Sequence, residues 1–341
     1  MLTYLVQRIL IMIPTLLVIS AFTFIIIQLP PGDYLSNQMA ELKAQGDTAA
    51  LEKIAFLRQE FGLDRPMLEQ YAIWLGVWPG NDGFAGILQG YFGWSFEFQR
   101  PVDEVVGDRL LFTFLLNFTT MLFVYAVSFP IGIYTAVRQY SIGDHAMTLI
   151  GYLGLATPNF LLALILLFFA KTYFGVSIGG LMDDQYDGQP MSWDKFVSVL
   201  QHLVVPVIVI GTSGTAGMIR RLRANLLDEL QKQYVVTART KGLRSVHVLI
   251  KYPLRLALNP FVADIGNLLP QMISGSAIVA VVMSLPTAGP MLVHALQSQD
   301  QYLAGSFLLF LSFLTVIGMF VSDILLAVLD PRIRLGAEAN R

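Results

Sequence analysis

Four polar residues recur within an otherwise apolar stretch, and their types and spacing suit solute handling better than any others in the chain. Asp264, Asn267, Gln271 and Ser274 follow one another at spacings of three, four and three, which places them on one face of an α-helix. Polar groups are costly in lipid, so we expect this face to turn toward protein or water. Two interpretations fit: the face lines a solute pathway, or it forms hydrogen bonds with neighbouring helices. Asp264 follows Arg255 by about two helical turns and is expected to pair with a basic residue.

The motifs of catalytic and metal sites are absent from the sequence. It has no GxxxxGK[ST] loop to hold the phosphates of ATP and no HExxH zinc motif. The run GTSGTAG lacks the GxSxG spacing of a nucleophile turn, and its small residues favour close helix packing. Cysteine is absent, and no histidine has a second histidine at i+4; the four are His145, His202, His247 and His294. We therefore expect no bound metal, no cofactor on this chain and no enzymatic activity.

The composition indicates a membrane protein. Of the 341 residues, 55% are hydrophobic and only 13% are charged, whereas an average soluble domain has about 25% charged residues. The net charge of −2 says little about partners, because the charges are segregated along the chain. The lipid bilayer is the expected partner, and nucleic acid is not.

Six apolar segments are long enough to cross a bilayer, which needs about 20 residues of helix. The first is expected to be retained as a span, since its apolar run is too long for a signal peptide and ends at Pro30 and Pro31. We see no repeat or interdomain linker, so residues 1–341 are expected to form a single membrane domain. The six predicted spans cover residues 9–29, 110–137, 147–170, 203–219, 256–283 and 302–329.

The charges of the loops predict the orientation. The loop of residues 220–255 has nine Lys or Arg and two acidic residues, and basic residues favour the cytoplasmic side. The opposite side, which includes residues 30–108, has seventeen acidic residues and seven Lys or Arg. Both termini are therefore expected in the cytoplasm.

The long external loop of residues 30–108 is expected to be structured. Asp47 or Thr48 can cap an amphipathic helix that stops at Gly62, and Pro66 is expected to begin another. The loop either packs on itself as a small cap or also contacts an external partner. Three of its aromatic residues suit a membrane or protein surface: Tyr71, Trp74 and Trp78.

The cytoplasmic loop of residues 220–255 has a pattern beyond its charge. One side of a predicted helix carries Leu230, Tyr234, Val235 and Ala238. Gly242 can then reverse the chain at low steric cost, and helical spacing resumes after it. A helix, a glycine turn and a second helix form a shape that a cytoplasmic protein could hold. An ordinary basic loop would need the charges but not this pattern.

The stretch YVVTARTKGL, with a proline eighteen residues after its glycine, resembles the EAA loop of bacterial ABC importer permeases. The similarity is to the dipeptide, oligopeptide and nickel branch. Val236 replaces the acidic residue of the wider EAA pattern. The matching positions are Tyr234, Val235, Thr237, Ala238, Arg239, Lys241, Gly242 and Pro260.

Other matches to that family extend over nearly the whole chain. FGLDRPMLEQYAIWL and GYFGWSFEFQRPVDEVVGDRL are similar to its external motifs, and SDILLAVLDPRIR is similar to its C-terminal signature. The last of these includes Asp323, for which we expect a structural ion pair or hydrogen bond.

The resemblance implies an all-α membrane protein with six transmembrane helices in a bacterial cytoplasmic membrane. It implies a permease subunit that forms half of a pathway for oligopeptides or oligosaccharide-like solutes. The implied partners are a second homologous permease, two ATPase subunits that bind ATP and Mg, and an external solute-binding protein. An ion-driven secondary transporter and an intramembrane enzyme are the alternatives. The residues implied to couple to the ATPases are Tyr234, Thr237, Ala238, Arg239, Lys241 and Gly242.

Overall fold

The computed structural model describes residues 2–45, 48–81, 83–174, 179–186, 189–190 and 192–329. Within this part the chain is mostly helical, with one two-stranded hairpin. The helices are α1 Leu2–Gln28, α2 Tyr34–Gln45, α3 Thr48–Glu60, α4 Met67–Leu75, α5 Val102–Val137, α6 Ile142–Ala156, α7 Asn159–Phe169, α8 Trp193–Leu230, α9 Gln233–Thr240, α10 Ser245–Lys251, α11 Pro253–Ala263, α12 Ile265–Val282, α13 Ala288–Gln297 and α14 Gln301–Leu329. The strands are β1 Trp94–Ser95 and β2 Arg100–Pro101, which pair antiparallel.

Four helices in the described part are long and apolar enough to cross a membrane: α1, α5, α8 and α14. The pair α6 and α7 makes a fifth if the two are taken as one bent span. The all-α membrane architecture is thereby confirmed. The number of six spans and the orientation remain predictions.

The third predicted span, residues 147–170, is bent. Its two helices, α6 and α7, meet at 99°. Thr157 between them is extended, with φ −87° and ψ 119°, because a residue that precedes proline is pushed out of the helical region. Pro158 then leads directly into α7. A hydropathy run therefore marked the apolar segment correctly but not the path of its backbone.

The fifth predicted span, residues 256–283, is divided between α11 and α12 at Asp264. Asp264 keeps a near-helical backbone, with φ −88° and ψ −8°. Pro253 begins α11, a position where proline is tolerated because the first helical N–H has no partner within the helix.

The described chain divides into two compact units. The first consists of the residues up to 8, residues 113–286 and those from 315 onward. Its main core lies where α5, α8 and α11 pack together, and Leu222, Leu226 and Phe261 are each almost fully buried there.

The second unit consists of residues 9–112 and 287–314. Trp74 is only 4% exposed and packs with Phe24 and Leu303 in its core. Gly305 permits this packing, because a β-carbon at that position would lie 2.7 Å from Cδ1 of Ile27. The surface position suggested for Trp74 is therefore wrong, since this side chain holds the unit together.

The predicted helices of the external loop are confirmed in the second unit. α3 begins at Thr48, and the chain turns at Gly62 with φ +64°. α4 begins directly after Pro66. Its Tyr71 forms a 2.7 Å hydrogen bond with the hydroxyl of Ser20. These contacts agree with the interpretation that the loop packs as a cap.

A buried carboxylate holds the hairpin of the second unit to the start of α14. Asp300 is fully buried and accepts a 2.7 Å hydrogen bond from the hydroxyl of Ser95. It also accepts hydrogen bonds from the backbone N–H groups of Glu97 and Leu303. The bond from Leu303 satisfies one of the N–H groups that a helix start leaves without a partner.

Candidate functional site

The glycine turn predicted within residues 220–255 is present and has a helix on each side. The predicted first helix is shorter than expected, because Leu230 belongs to the last turn of α8 and α9 begins only at Gln233. α9 ends at Thr240, and Gly242 adopts φ +77° before α10 begins at Ser245. This left-handed conformation is the one that glycine adopts at low cost. The turn lets α10 fold back on α9, and Val235, Ala238 and Val248 form a small buried cluster between them.

Two of the six predicted coupling residues face inward. Ala238 is 6% exposed and packs in the cluster with Val248. Tyr234 is half-buried and donates a hydrogen bond from its hydroxyl to Glu229 in the last turn of α8. Burial, and then the neighbouring carboxylate of Glu229, raise the pKa of Tyr234. These two residues anchor α9 rather than present a surface.

The other four predicted coupling residues face outward. Thr237, Arg239, Lys241 and Gly242 are all exposed. The hydroxyl of Thr237 bonds to the carbonyl of Gln233 within α9. A β-carbon placed on Gly242 would meet no atom within 4 Å. The outer side of α9 and its turn is thus accessible, while the inner side of α9 is held by its contacts with α8 and α10.

A second anchor lies between α6 and α8. Arg223 donates hydrogen bonds to both oxygens of Asp144, and the carboxylate of Asp144 is 4% exposed. Asp144 also accepts a hydrogen bond from the backbone N–H of Tyr140, while its own N–H donates to the hydroxyl of Ser141. Sequence analysis missed this site. Its signal is the SxxD pattern of a capping box, which marks the start of α6.

Of the four side chains on the predicted polar face, the structure describes one, that of Asp264. Asp264 forms a 2.9 Å ion pair with Arg221 of α8, so the expected basic partner is found. The guanidinium of Arg221 also lies 5.3 Å from the centre of the Phe261 ring. The other three side chains lie outside the described residues: Asn267, Gln271 and Ser274.

A cavity of about 510 Å³ lies beside this ion pair in the first unit. Arg220, Arg221 and Asp264 supply its charged groups. Asn159 and Ser213 supply neutral polar groups and are joined by a hydrogen bond of 3.4 Å. The other described residues of the wall are apolar or glycine. The cavity can therefore hold a solute of mixed polarity.

The structural ion pair expected for Asp323 is confirmed. Its carboxylate lies 3.1 Å from Nη1 of Arg8, which ties α14 to α1 within the first unit. Among the described residues, no group of three or more His, Asp or Glu side chains lies close enough together to hold a metal ion.

Comparison with known proteins supports the resemblance to importer permeases over almost the whole chain. Residues 128–335 match the family of binding-protein-dependent transport system inner membrane components, and residues 1–117 match the N-terminal family of such components.

Three relatives illustrate the similarity. The oligopeptide transport system permease protein AppB of Bacillus subtilis (strain 168) is 32% identical over 335 residues, which cover 98% of this chain and 99% of the relative. The dipeptide transport system permease protein DppB of Escherichia coli (strain K12) is 30% identical over 351 residues, with 98% and 99% covered. The glutathione transport system permease protein GsiC of Salmonella choleraesuis (strain SC-B67) is 31% identical over 334 residues, also with 98% and 99% covered.

The matched segments include the glycine turn, most of the residues that line the cavity and the whole second unit. All three relatives are transport permeases, so this chain is a transport subunit and not an enzyme. The chain belongs to the family of binding-protein-dependent transport system inner membrane components.

Proposed function

We propose that this chain is the permease subunit of an oligopeptide importer and that ATPase subunits drive it through α9 and its glycine turn. The names of the relatives favour peptides over oligosaccharides. In the proposed assembly, a second permease completes the pathway and two ATPase subunits bind ATP and Mg. An external solute-binding protein delivers the peptide. Six spans with both termini in the cytoplasm would place α9 on the ATPase side.

One observation carries the coupling proposal: α9 is fixed on its inner side and open on its outer side. Val235 and Ala238 are buried, whereas Arg239, Lys241 and Gly242 are exposed. The outer side of α9 is exposed and charged, and no atom of the described chain blocks access to Gly242. Such a surface is suited to bind in a groove of a partner protein.

The anchored side explains how movement would pass to the membrane. Tyr234 is bonded to Glu229 in the last turn of α8, so a displacement of α9 would act directly on that helix. α8 has 38 residues and is about 57 Å long. Its buried Leu222 and Leu226 pack against α11 and α5. The same helix carries Ser213, Arg220 and Arg221 of the cavity, so movement at its end would reach the cavity wall.

Two substitutions of Gly242 test the coupling. Gly242→Asn keeps a residue that tolerates φ > 0, so we expect at least half of wild-type peptide uptake. Gly242→Trp adds bulk where the chain itself leaves open space, so we expect loss of uptake and of stimulated ATP hydrolysis. Both are measured on the complete complex in liposomes.

Co-purification of the subunits separates a coupling defect from a failure to insert. Wild-type coupling in the Gly242→Trp complex would contradict the proposal. Peptide uptake by the permease subunits without ATPases would instead indicate an ion-driven transporter.

A further inference from the structure

Three arginines of α8 lie close together in sequence, and two of them are neutralised. Arg221 pairs with Asp264 at 2.9 Å, and Arg223 pairs with Asp144 at 2.9 Å. Arg220 is exposed and forms no hydrogen bond or ion pair with any residue in the described part of the chain. Within the part of the chain that the structure describes, it is therefore the one arginine of the three that has no acidic partner.

Arg220 lies on the wall of the 510 Å³ cavity. Arg220 directly follows the predicted span of residues 203–219, and an ionisable residue beside a membrane-spanning segment usually faces a pathway or water or pairs with a partner. A guanidinium has a fixed fork of donors that matches a carboxylate in two-point geometry. The charge at Arg220 therefore suits an anionic group on whatever occupies the cavity.

The rest of the cavity suits a peptide chain. The amide of Asn159 and the hydroxyl of Ser213 can exchange their long mutual hydrogen bond for bonds to peptide groups. A β-carbon on Gly217 or Gly275 would meet no atom within 4 Å, so the space beside these residues is open. An elongated solute with amide groups and one carboxylate matches this set of groups.

We infer that Arg220 receives the terminal carboxylate of the solute during its passage. This inference rests on the proposed function, because it requires that the cavity belong to a peptide pathway. It adds a selectivity for free acids within the membrane subunit, separate from any selectivity of the binding protein. The bond is an ion pair, and no covalent step is involved.

The test uses the complete complex in liposomes. A set of peptides of two to five residues is screened for stimulation of ATP hydrolysis, and the strongest is compared with its own C-terminal amide. The measured quantity is the ratio of acid uptake to amide uptake. Comparing variants by this ratio cancels the preference of the binding protein, which is the same in each assay.

We expect Arg220→Gln to lower the ratio by roughly tenfold, as loss of a charged hydrogen bond would. Arg220→Lys keeps the charge and should retain most of the ratio. Arg138→Gln is the matched control, because Arg138 is exposed, lies on the predicted cytoplasmic side and does not line the cavity. If the amide does not enter even with the wild type, the acid uptake rate alone is compared across these three variants.

Three results would overturn the inference. The first is an unchanged ratio, or an unchanged acid uptake rate, in Arg220→Gln. The second is an equal loss of acid and amide uptake, which would indicate a structural role or contact with the second permease. The third is an effect that disappears in liposomes without anionic lipid, which would indicate that Arg220 binds an anionic lipid headgroup.

Uptake assays with other solutes show whether a failure concerns the role of Arg220 or the proposed function. ATP-driven uptake of an uncharged oligosaccharide, with no uptake of peptides, would leave an importer standing and remove the role of Arg220. Absence of any ATP-driven uptake by the wild type would contradict the proposed function itself.

Filling the cavity gives a second readout. Gly217→Leu places a side chain in the open space of the cavity, so we expect uptake of acid and amide to fall together. Normal uptake of both by an intact Gly217→Leu complex would show that solutes do not pass through this cavity.

Discussion

Arg223 holds both oxygens of the Asp144 carboxylate, with Nε 3.1 Å from Oδ1 and Nη2 2.9 Å from Oδ2. The pair joins the start of α6 to α8, the helix that also receives the Tyr234 bond from α9. Asp144 is 4% exposed and Arg223 is 27% exposed at their side chains. This contact is therefore largely protected from solvent screening.

Removal of one residue of the Asp144–Arg223 pair should destabilise the folded protein. We expect Asp144→Ala to lower the free energy of unfolding by about 1.5–3 kcal/mol, because it removes the charged hydrogen bonds of a half-buried arginine. The measurement is denaturant unfolding in detergent, with Arg223→Gln and the double variant completing a mutant cycle. Glu69→Gln is the control, since the carboxylate of Glu69 in its pair with Arg65 is 34% exposed, against 4% for Asp144, and a loss of about 0.2–1 kcal/mol is expected. Equal effects of Asp144→Ala and Glu69→Gln would refute the structural role.

The buried carboxyl group of Asp300 should make the stability of the second unit depend on pH. Burial raises the pKa of Asp300 above its ordinary value, although bonds from Ser95 and from backbone N–H groups oppose the rise. A carboxyl whose pKa is raised on folding stabilises the folded state most below its ordinary pKa, and that contribution is lost as the pH rises through the raised value.

Asp300→Asn removes this titration. The difference in Tm between wild type and Asp300→Asn should therefore shift in favour of the wild type as the pH falls from about 7 to about 4. Thermal unfolding in detergent at several pH values measures it. A shift in the opposite direction would mean that hydrogen bonding, rather than burial, dominates the pKa of Asp300.

The orientation can be tested with single cysteines, because the natural chain has none. Leu68 is 83% exposed in the second unit, and Lys241 is exposed beside the glycine turn. We expect an impermeant maleimide to label Leu68→Cys in intact cells and to label Lys241→Cys only after the membrane is opened. The reverse pattern would place both termini outside the cell.

Local patterns predicted the turn at Gly242 and the helices on either side of it. Helical spacing and a glycine are enough to indicate α9, the turn at Gly242 and α10, since both signals act over a few residues. The inward position of Ala238 could not be derived in this way, because it depends on Val248 across the turn. The external helices were predictable for the same reason, and the burial of Trp74 was not.

The long-range contacts explain most of what the sequence did not indicate. Asp144 and Arg223 are 79 positions apart, and no local period connects them. The bend at Thr157 and Pro158 was visible as an X-Pro step, but hydropathy counts apolar residues without regard to backbone angles. α8 likewise extends well beyond the predicted span of residues 203–219, because charged residues end the apolar run without ending the helix.

The accessibility of Lys241 to a thiol reagent tests the coupling proposal most directly. In the isolated permease, Lys241→Cys and Arg138→Cys should both react readily with maleimide, since both positions are exposed. When the ATPase subunits are added, we expect the labelling rate of Lys241→Cys to fall at least tenfold while Arg138→Cys is unaffected. Equal labelling of both cysteines in a complex that hydrolyses ATP and imports peptide would show that the ATPases do not bind at the glycine turn.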